Sequence, residues 1–492
     1  SRASRVTVDT ETSADAPSER GNLRSKRQIA CHHSHAARAD SAPSAMATRI
    51  AKKIVVVGGG NSAGYFARAV VAAGRGADLT VISAEDVLPY ERPALTKAFL
   101  NETGPARLPG FHTSVGGGGE RQNQEWYDAN GVEVHLGTRV VSWDAASKTV
   151  TTDTSASFGY EKLIVAIGCT ALKLPASMGG DLPGVHYVRD HADALALYDA
   201  MSKARAPVVI GGGYIGLEAA AAFAARGAKP AVVMMEPHVM ARLWTPTIAA
   251  HYEALYESKG CVFHKNAKVS AIARGEDGRV KSVELEGGAS LPADLLVVGV
   301  GAGAVTAPFD ALDTTPDARN PGGILVDATF AASGVNVEPK SVYAIGDVAA
   351  FPLAFDKNQT VRMEHVAHAR ASAAHCARCV LAADDDDAQT ANAPYQYTPY
   401  FYSRVFEQAD STRKVAWVFY GLQRGEVVCV GDFAPKLAAF WVDEGVCVGA
   451  MLESGTPDEV KAVQAIAEGR PSVDVEKLRA CATAEAALSL FA

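Results

Sequence analysis

The sequence has no excess of positive charge. Its 47 Lys and Arg residues are outnumbered by 55 Asp and Glu residues, which gives a net charge of −8. Proteins that bind nucleic acid need a basic face to attract the phosphate backbone. We therefore expect no nucleic-acid partner.

Long apolar runs are also absent. The longest uncharged apolar stretch, residues 295–309, has 15 residues and contains both Gly and Pro. A transmembrane helix needs about 20 predominantly apolar residues. The sequence therefore predicts no membrane span.

Cysteine is scarce, with eight residues in a chain of 492. So few cysteines in so long a chain form no disulfide framework, and they indicate free thiols in a reducing compartment. Cys376 and Cys379 do form one C-x-x-C pair. A redox or zinc motif would need a turn or a second cysteine pair, whereas residues 368–381 predict a helix. We favour two helical thiols.

Residues 1–48 are rich in Ser and Ala, contain scattered Arg and show no hydrophobic periodicity. This composition predicts an organelle-targeting leader for the chloroplast or mitochondrion. The five acidic residues in the segment argue against that interpretation, because transit peptides are usually poor in acid. A start at Met46 would give a cytoplasmic form without a leader.

A strand, glycine cluster, helix and strand follow one another twice. The first set runs from residue 54 through glycines 58–60 and a helix to about residue 73, with a second strand at 79–83. The second set begins at residue 208, continues through glycines 211–213 and ends with a strand at 231–235. These patterns predict an α/β fold with two Rossmann-like dinucleotide-binding domains.

The domain organisation follows from these units. We expect a discontinuous first domain over residues 50–170 and 302–385, with the second domain over 171–301 inserted into it. The acidic run 384–387 predicts a solvated linker. The remaining residues, 388–492, predict a C-terminal α+β domain.

Both glycine clusters have the chemistry of a pyrophosphate site. Glycines allow the chain to turn tightly and let the backbone approach a phosphate, whose charge then lies at the N-terminus of the following helix. Glu85 and Glu236 each follow the second strand of a unit, where a carboxylate can bind a ribose diol. Glu236 would repel a 2′-phosphate and so favours NADH over NADPH, although nearby Arg242 can alter that preference.

Two dinucleotide sites in one chain indicate that one holds a flavin and the other a diffusing nicotinamide. Asp347 follows a short strand and Gly346, as expected of a carboxylate that binds the ribityl chain of FAD. Together with an earlier strand that ends in Gly168, this motif indicates that the chain returns to the first nucleotide-binding domain after the second. The first nucleotide site is therefore predicted to be the FAD site.

Several longer motifs carry a family resemblance. They are PYERPALTK at 89–97, RLPGFH at 107–112 with its glycine-rich continuation to residue 121, EHVAHAR at 364–370 and PYFYSR at 399–404. With both glycine clusters, the chain resembles the flavoprotein reductases related to glutathione reductase. Within that group it resembles the monodehydroascorbate reductases of plants and green algae, from about residue 52 to the C-terminus.

The resemblance implies two sets of cofactor contacts. For FAD they are Gly58, Gly59, Gly60, Asn61, Glu85, Arg92, Lys97, Val140, Arg189, Asp347 and Val366. For NADH they are Gly212, Gly213, Tyr214, Ile215, Gly216, Leu217, Glu218, Glu236, Arg242, Gly301, Glu364 and His365.

The resemblance also implies that the ascorbyl radical meets Arg370 and the region of Tyr400 and Tyr402. A guanidinium offers a planar donor fork to a small anion. Lys97 near the flavin would stabilise negative charge. His365 and His368, three residues apart, could suggest a metal site, but no third or fourth ligand has a matching spacing. His365 is therefore expected to stack or hydrogen-bond in the site.

Structural alternatives exist for these residues. Lys97 and Arg92 could form ion pairs with Glu91 at a helix start. Arg370 could be an ordinary surface arginine, and one of the two tyrosines could be a core residue.

The expected function is therefore NADH-dependent reduction of the monodehydroascorbate radical through FAD. Disulfide reductases of this group carry two cysteines five residues apart near the flavin, and residues 94–100 contain none. The alternatives are a ferredoxin or rubredoxin type of reductase on the same fold, or an NADH-responsive flavoprotein with a binding role. The oligomeric state stays open, and a monomer is compatible with the sequence.

Overall fold

The computed structural model describes residues 53–103, 106–108, 120–316, 322–407, 414–431, 433 and 436–491. The predicted leader, 1–48, lies outside these residues, and so does most of the segment 107–121. Among the described helices, none combines the length and the apolar composition that a bilayer-spanning helix requires.

The strands before residue 172 are β1 (Ile54–Val57), β2 (Leu79–Ile82), β3 (Glu133–His135), β4 (Val140–Asp144), β5 (Thr149–Thr152), β6 (Ser157–Gly159), β7 (Lys162–Val165) and β8 (Cys169–Ala171). Those up to residue 298 are β9 (Val185–His186), β10 (Pro207–Ile210), β11 (Ala231–Val233), β12 (Val262–His264), β13 (Val269–Arg274), β14 (Val280–Leu285), β15 (Ser290–Pro292) and β16 (Leu295–Val298). The next group is β17 (Ala302–Ala304), β18 (Ile324–Leu325), β19 (Val342–Ala344), β20 (Ala349–Leu353) and β21 (Gln359–Arg362). The last group is β22 (Tyr400–Val405), β23 (Val415–Gly421), β24 (Glu426–Val430), β25 (Ala438–Asp443) and β26 (Val446–Glu453).

The helices are α1 (Asn61–Ala72), α2 (Gln124–Ala129), α3 (His191–Met201), α4 (Tyr214–Ala225), α5 (Pro246–Ser258), α6 (Val366–Asp384), α7 (Ala388–Ala391), α8 (Pro457–Gly469), α9 (Val475–Arg479) and α10 (Ala484–Ser489). Two 3-10 turns, Arg92–Thr96 and Ala98–Leu100, follow β2.

Two five-stranded parallel sheets form the nucleotide-binding part of the fold. Their strand orders are β19-β7-β1-β2-β3 and β12-β11-β10-β16-β9. The central strands β1, β10 and β16 are short, apolar and buried throughout, as expected of parallel strands covered on both faces. The predicted α/β fold with two Rossmann-like units is confirmed.

The first sheet contains a strand from much later in the chain. β19 pairs with β7 in parallel register, although the whole second sheet lies between them in sequence. Helix α6 then packs against α1. The carboxyl end of β19 therefore brings Asp347 to the same edge as the first glycine cluster. The exact domain boundaries stay a prediction.

The C-terminal region is an antiparallel sheet of order β22-β23-β26-β25-β24, with α8 and α10 packed on one face. Its other face shares a core with the second nucleotide-binding unit. Leu95 and Phe99 of the 3-10 turns lie in that core together with Phe223 of α4 and Phe401 of β22. This packing holds the segment around Lys97 at the junction of three regions.

Candidate active site

The two glycine clusters form equivalent turns. Gly58 has a φ of +128°, and a Cβ there would lie 2.2 Å from the Ala166 carbonyl oxygen. Gly211 has a φ of +110°, and its Cβ would lie 2.3 Å from the Gly299 carbonyl oxygen. Only glycine fits such a left-handed conformation at so close an approach.

The helices that follow these turns begin without a side-chain cap. Among the described α-helices, only α1 and α4 have a glycine, Gly60 or Gly213, at the N-cap position, where no side chain can cap the first turn. The first N–H groups of both helices are thus left for another acceptor. This arrangement fits two pyrophosphate groups.

A single cleft of about 990 Å³ joins the first glycine turn and the first residues of α4 with the start of α6 and with β22. Most of the predicted site residues line it. They are Gly58, Gly59, Gly60, Asn61, Glu85, Arg92, Lys97, Val140, Arg189, Tyr214, Ile215, Glu218, Arg242, Gly301, Asp347, Glu364, His365, Val366, Tyr400 and Tyr402.

The other predicted site residues lie outside the lining of this cleft: Gly212, Gly213, Gly216, Leu217, Glu236 and Arg370. A Cβ on Gly216 would lie 2.0 Å from the Gly211 carbonyl oxygen. Glycine at this position therefore allows α4 to pack closely against the glycine turn. The Leu217 side chain is buried in the core, while Glu236 is exposed just after β11.

At the first nucleotide site, Glu85, Tyr90 and Arg92 form a connected group. The Tyr90 hydroxyl donates to Glu85 Oε2 at 2.9 Å, and Arg92 forms an ion pair with the same carboxylate. The Arg92 Nε lies 3.3 Å from where a Cβ on Gly60 would be. Its guanidinium is therefore placed beside the uncapped end of α1, where it can bind a phosphate.

Asp347 is held at the edge of the cleft by two donors. Arg189 Nη2 lies 3.2 Å from Asp347 Oδ2, and the Cys169 thiol donates to the same oxygen at 3.3 Å. Burial, reinforced by the Asp347 charge, raises the pKa of Cys169, so the thiol keeps its proton. Sequence reasoning missed Cys169, although its position directly after Gly168 at the end of a parallel strand was a usable signal.

Lys97 lies in a buried network centred on Glu218 of α4. The Lys97 Nζ is 2.8 Å from Glu218 Oε1, to which Ser403 Oγ also donates at 2.5 Å, while the Thr96 hydroxyl donates to the other oxygen. The Lys97 ammonium is 5.7 Å from the ring centre of Tyr402. The network thus joins the 3-10 turn, α4 and β22.

The alternative ion pairs with Glu91 are wrong. Lys97 pairs with Glu218 and Arg92 pairs with Glu85. Glu91 instead pairs with Arg370, with Arg370 Nη2 at 2.7 Å from Glu91 Oε2. Since Arg370 is paired with a buried carboxylate, it is no ordinary surface arginine either.

His365 stands at the N-terminus of α6 with a neutral ring. Burial, followed by the charge of Lys97, lowers the pKa of His365 to about 3. Nδ1 faces the Ala367 N–H at 3.2 Å and Nε2 faces the Tyr402 N–H at 3.3 Å. Because a neutral imidazole has one acceptor nitrogen, only one of these contacts is a hydrogen bond and the other nitrogen carries the proton.

Tyr400 and Tyr402 alternate along β22 as predicted. Both are half-buried and line the cleft, and their ring centres are 6.1 Å apart. Both rings also lie edge-on to the His365 ring, with distances between ring centres of 5.2 Å for Tyr400 and 5.9 Å for Tyr402. The alternative that one of them is a core residue is therefore wrong.

The cysteine pair Cys376 and Cys379 lies on α6, where both thiols are buried and free. The prediction of two helical thiols is confirmed. Across the described residues, no group of three or more His, Cys, Asp or Glu side chains could hold a metal ion.

Two family models match the chain. The model for pyridine nucleotide-disulphide oxidoreductases matches residues 52–373, and the model for the C-terminal domain of monodehydroascorbate reductase 3-like proteins matches residues 398–485. Together they cover both nucleotide-binding units and the antiparallel sheet.

Curated relatives support the same family assignment. The chain is 46% identical to a chloroplastic/mitochondrial monodehydroascorbate reductase of Arabidopsis thaliana, over 89% of this chain and 86% of the relative. It is 41% identical to a monodehydroascorbate reductase of Pisum sativum, over 87% of this chain and 96% of the relative.

Among solved structures, a ferredoxin reductase from Rhodopseudomonas palustris superposes with a TM-score of 0.75 at 28% identity, over 90% of this chain and 100% of that one. Its likeness supports the same arrangement of two nucleotide-binding units and a C-terminal sheet. The chain belongs to the pyridine nucleotide-disulphide oxidoreductase family and, within it, to the monodehydroascorbate reductases.

Proposed function

We propose that this protein takes electrons from NADH through bound FAD and reduces the monodehydroascorbate radical to ascorbate. The observation that carries the proposal is the shared cleft, in which both uncapped helix ends, Lys97 and the aromatic group of His365, Tyr400 and Tyr402 meet. A donor, a flavin and a small acceptor would thus lie within one continuous site.

FAD fits the first turn, since membership of the family implies FAD and a nicotinamide dinucleotide. Arg92 and the N–H groups of α1 would hold its pyrophosphate, Glu85 its ribose, and Asp347 its ribityl hydroxyls. A bound flavin accepts a hydride from a nicotinamide and returns the two electrons singly, which a radical acceptor requires.

The acceptor side of the cleft is built for a small planar molecule. Tyr400 and Tyr402 supply flat faces and hydroxyl groups, and the His365 ring packs edge-on against both of them. Arg370 lies behind this group, close enough for its charge to contribute to the lowered pKa of His365. Monodehydroascorbate is an anion at neutral pH, so it gains from the field of a nearby guanidinium.

The function is tested by following NADH consumption by the purified yellow protein with ascorbate, before and after ascorbate oxidase generates the radical. Oxidation that starts only with the radical supports the proposal. Rapid flavin reduction without radical-dependent turnover would contradict it and would favour a protein acceptor. Slow turnover with every acceptor, with a long-lived flavin–nicotinamide complex, would favour a binding role.

NADH preference is expected to depend on Glu236. Its exposed carboxylate after β11 would bind the ribose diol of NADH and repel a 2′-phosphate. Glu236→Ala should lower the ratio of kcat/KM for NADH to that for NADPH by roughly tenfold. Steady-state kinetics with both nucleotides measure this ratio. The exposed Glu257, at the end of α5, provides a control, since Glu257→Ala should leave the ratio unchanged.

For localisation, a relative named chloroplastic/mitochondrial and the Ser- and Ala-rich composition of residues 1–48 point the same way. We propose import into the chloroplast or mitochondrion. Uptake of the full chain by isolated organelles, with shortening of its N-terminus, would support this. A chain that remains outside both organelles would favour the cytoplasm.

A further inference from the structure

Glu91 is a buried carboxylate next to the acceptor side of the cleft, with 3% of its surface exposed. Three donors from different elements converge on it. Asn61 Nδ2 donates to Oε2 at 2.6 Å, the Tyr65 hydroxyl donates to Oε1 at 2.8 Å, and Arg370 Nη2 donates to Oε2 at 2.7 Å. Two neutral donors and one guanidinium thus provide partners for both oxygens of the carboxylate.

Arg370 has a remaining donor that the described residues do not use. Its Nε is buried and has no hydrogen-bond partner among them. The residues before it on α6, Val366 and Ala369, line the cleft. Arg370 itself does not line the cleft, so its guanidinium acts on a ligand there through its charge and not through a direct contact.

We propose that Glu91 sets the acceptor specificity of the enzyme, because it positions Arg370 and offsets most of its positive charge. This inference rests on the proposed function in that the charge of Arg370 acts on the acceptor. The acceptor in the cleft then experiences the field of a nearly neutral pair, which suits a small singly charged anion. A bare guanidinium would attract highly charged anions much more strongly.

Glu91→Gln tests the negative charge of Glu91 separately from its hydrogen bonds. The Gln carbonyl oxygen can replace Oε2 and accept from Asn61 and Arg370. The Gln amide can replace Oε1 and donate to the Tyr65 hydroxyl, which is able to accept as well as donate. The substitution therefore removes one negative charge while every contact of Glu91 keeps a partner.

The experiment compares two artificial acceptors in NADH turnover by the FAD-loaded enzyme. Ferricyanide is a multivalent anion, and 1,4-benzoquinone is neutral. In Glu91→Gln, the ratio of kcat/KM for ferricyanide to that for benzoquinone should rise roughly tenfold at low salt, and the rise should shrink as salt screens the charge. An unchanged ratio in a variant that binds FAD normally would overturn the proposal.

Arg370→Gln provides the reciprocal test and does not require the first variant to fold. It leaves the Glu91 charge without its main counter-charge, so the same ratio should fall roughly tenfold. Adding Glu91→Gln to it should bring the ratio back toward the wild-type value. If the double variant behaves like Arg370→Gln alone, the charge of Glu91 has no influence and the proposal is wrong.

Tyr65→Phe is the matched control for a merely structural role. It removes one hydrogen bond to Glu91 but leaves both charges, and the Phe ring can keep the Tyr65 contact with Arg370, whose guanidinium carbon is 5.3 Å from the ring centre. Its acceptor ratio should equal that of the wild type. These ratios need no ascorbyl radical. If the enzyme fails to reduce the radical, the proposed function is contradicted, but the ratio for the two artificial acceptors still tests the role of Glu91.

Discussion

Replacing Lys97 by Met should slow the reduction of bound flavin by NADH at least about a hundredfold. The Lys97 ammonium lines the cleft and is nearly buried, with 12% of its side chain exposed. Glu218 offsets part of the Lys97 charge, but the ammonium remains a charged N–H donor at the cleft, and a fixed donor of this kind stabilises negative charge that develops on a reduced cofactor. Stopped-flow measurement of the visible flavin absorbance gives the rate.

The same substitution would leave Glu218 as a buried carboxylate with only Thr96 and Ser403 as donors. Breaking a buried ion pair in this way costs about 3–5 kcal/mol of stability. Adding Glu218→Gln removes the unpaired charge, so the double variant should recover much of its thermal stability. It should not recover the rate. If Lys97→Met/Glu218→Gln reduced its flavin at the wild-type rate, Lys97 would have only a structural role.

Replacing Asp347 by Ala should weaken FAD binding by about a hundredfold or more. A carboxylate that accepts ribityl hydroxyls contributes roughly 1.5–3 kcal/mol per hydrogen bond. The substitution also leaves Arg189 and Cys169 without the oxygen that they share. The protein should therefore be purified largely colourless, and titration of the apoprotein with FAD measures the loss of affinity.

Two further variants show whether this loss is specific. Asp347→Asn keeps an oxygen acceptor and should retain more FAD than Asp347→Ala. Asp356 pairs with Arg424 at 2.7 Å near the surface, so Asp356→Ala is a matched loss of an ion-paired carboxylate. It should retain FAD fully. Equal flavin content in Asp347→Ala and Asp356→Ala would contradict the assignment of Asp347.

Much of the fold was predictable because its signals are local. The apolar runs at 54–57 and 207–210 are typical of strands buried on both faces, and the first glycine after each run, Gly58 or Gly211, is required by a backbone conformation with positive φ. Glu85 and Asp347 could be selected from the sequence because each follows a strand end, whereas Tyr400 was implied only by the family resemblance. These features depend on neighbours within a few residues, so a single sequence contains them.

The partners of the charged residues were not predictable in the same way. Sequence proximity suggested that Glu91 pairs with Arg92 or Lys97, whereas the tertiary structure places it against Arg370, 279 residues away. The folded chain likewise brings Glu218 to Lys97 and Cys169 to Asp347.

The amino-acid sequence by itself therefore determined the two nucleotide-binding units, their glycine turns and the residue types of the site. The tertiary structure decided which charges offset one another, because buried ion pairs form wherever packing of separate elements brings opposite charges together. That choice depends on how α1, α4, α6 and β22 pack around the cleft, and no local pattern encodes it.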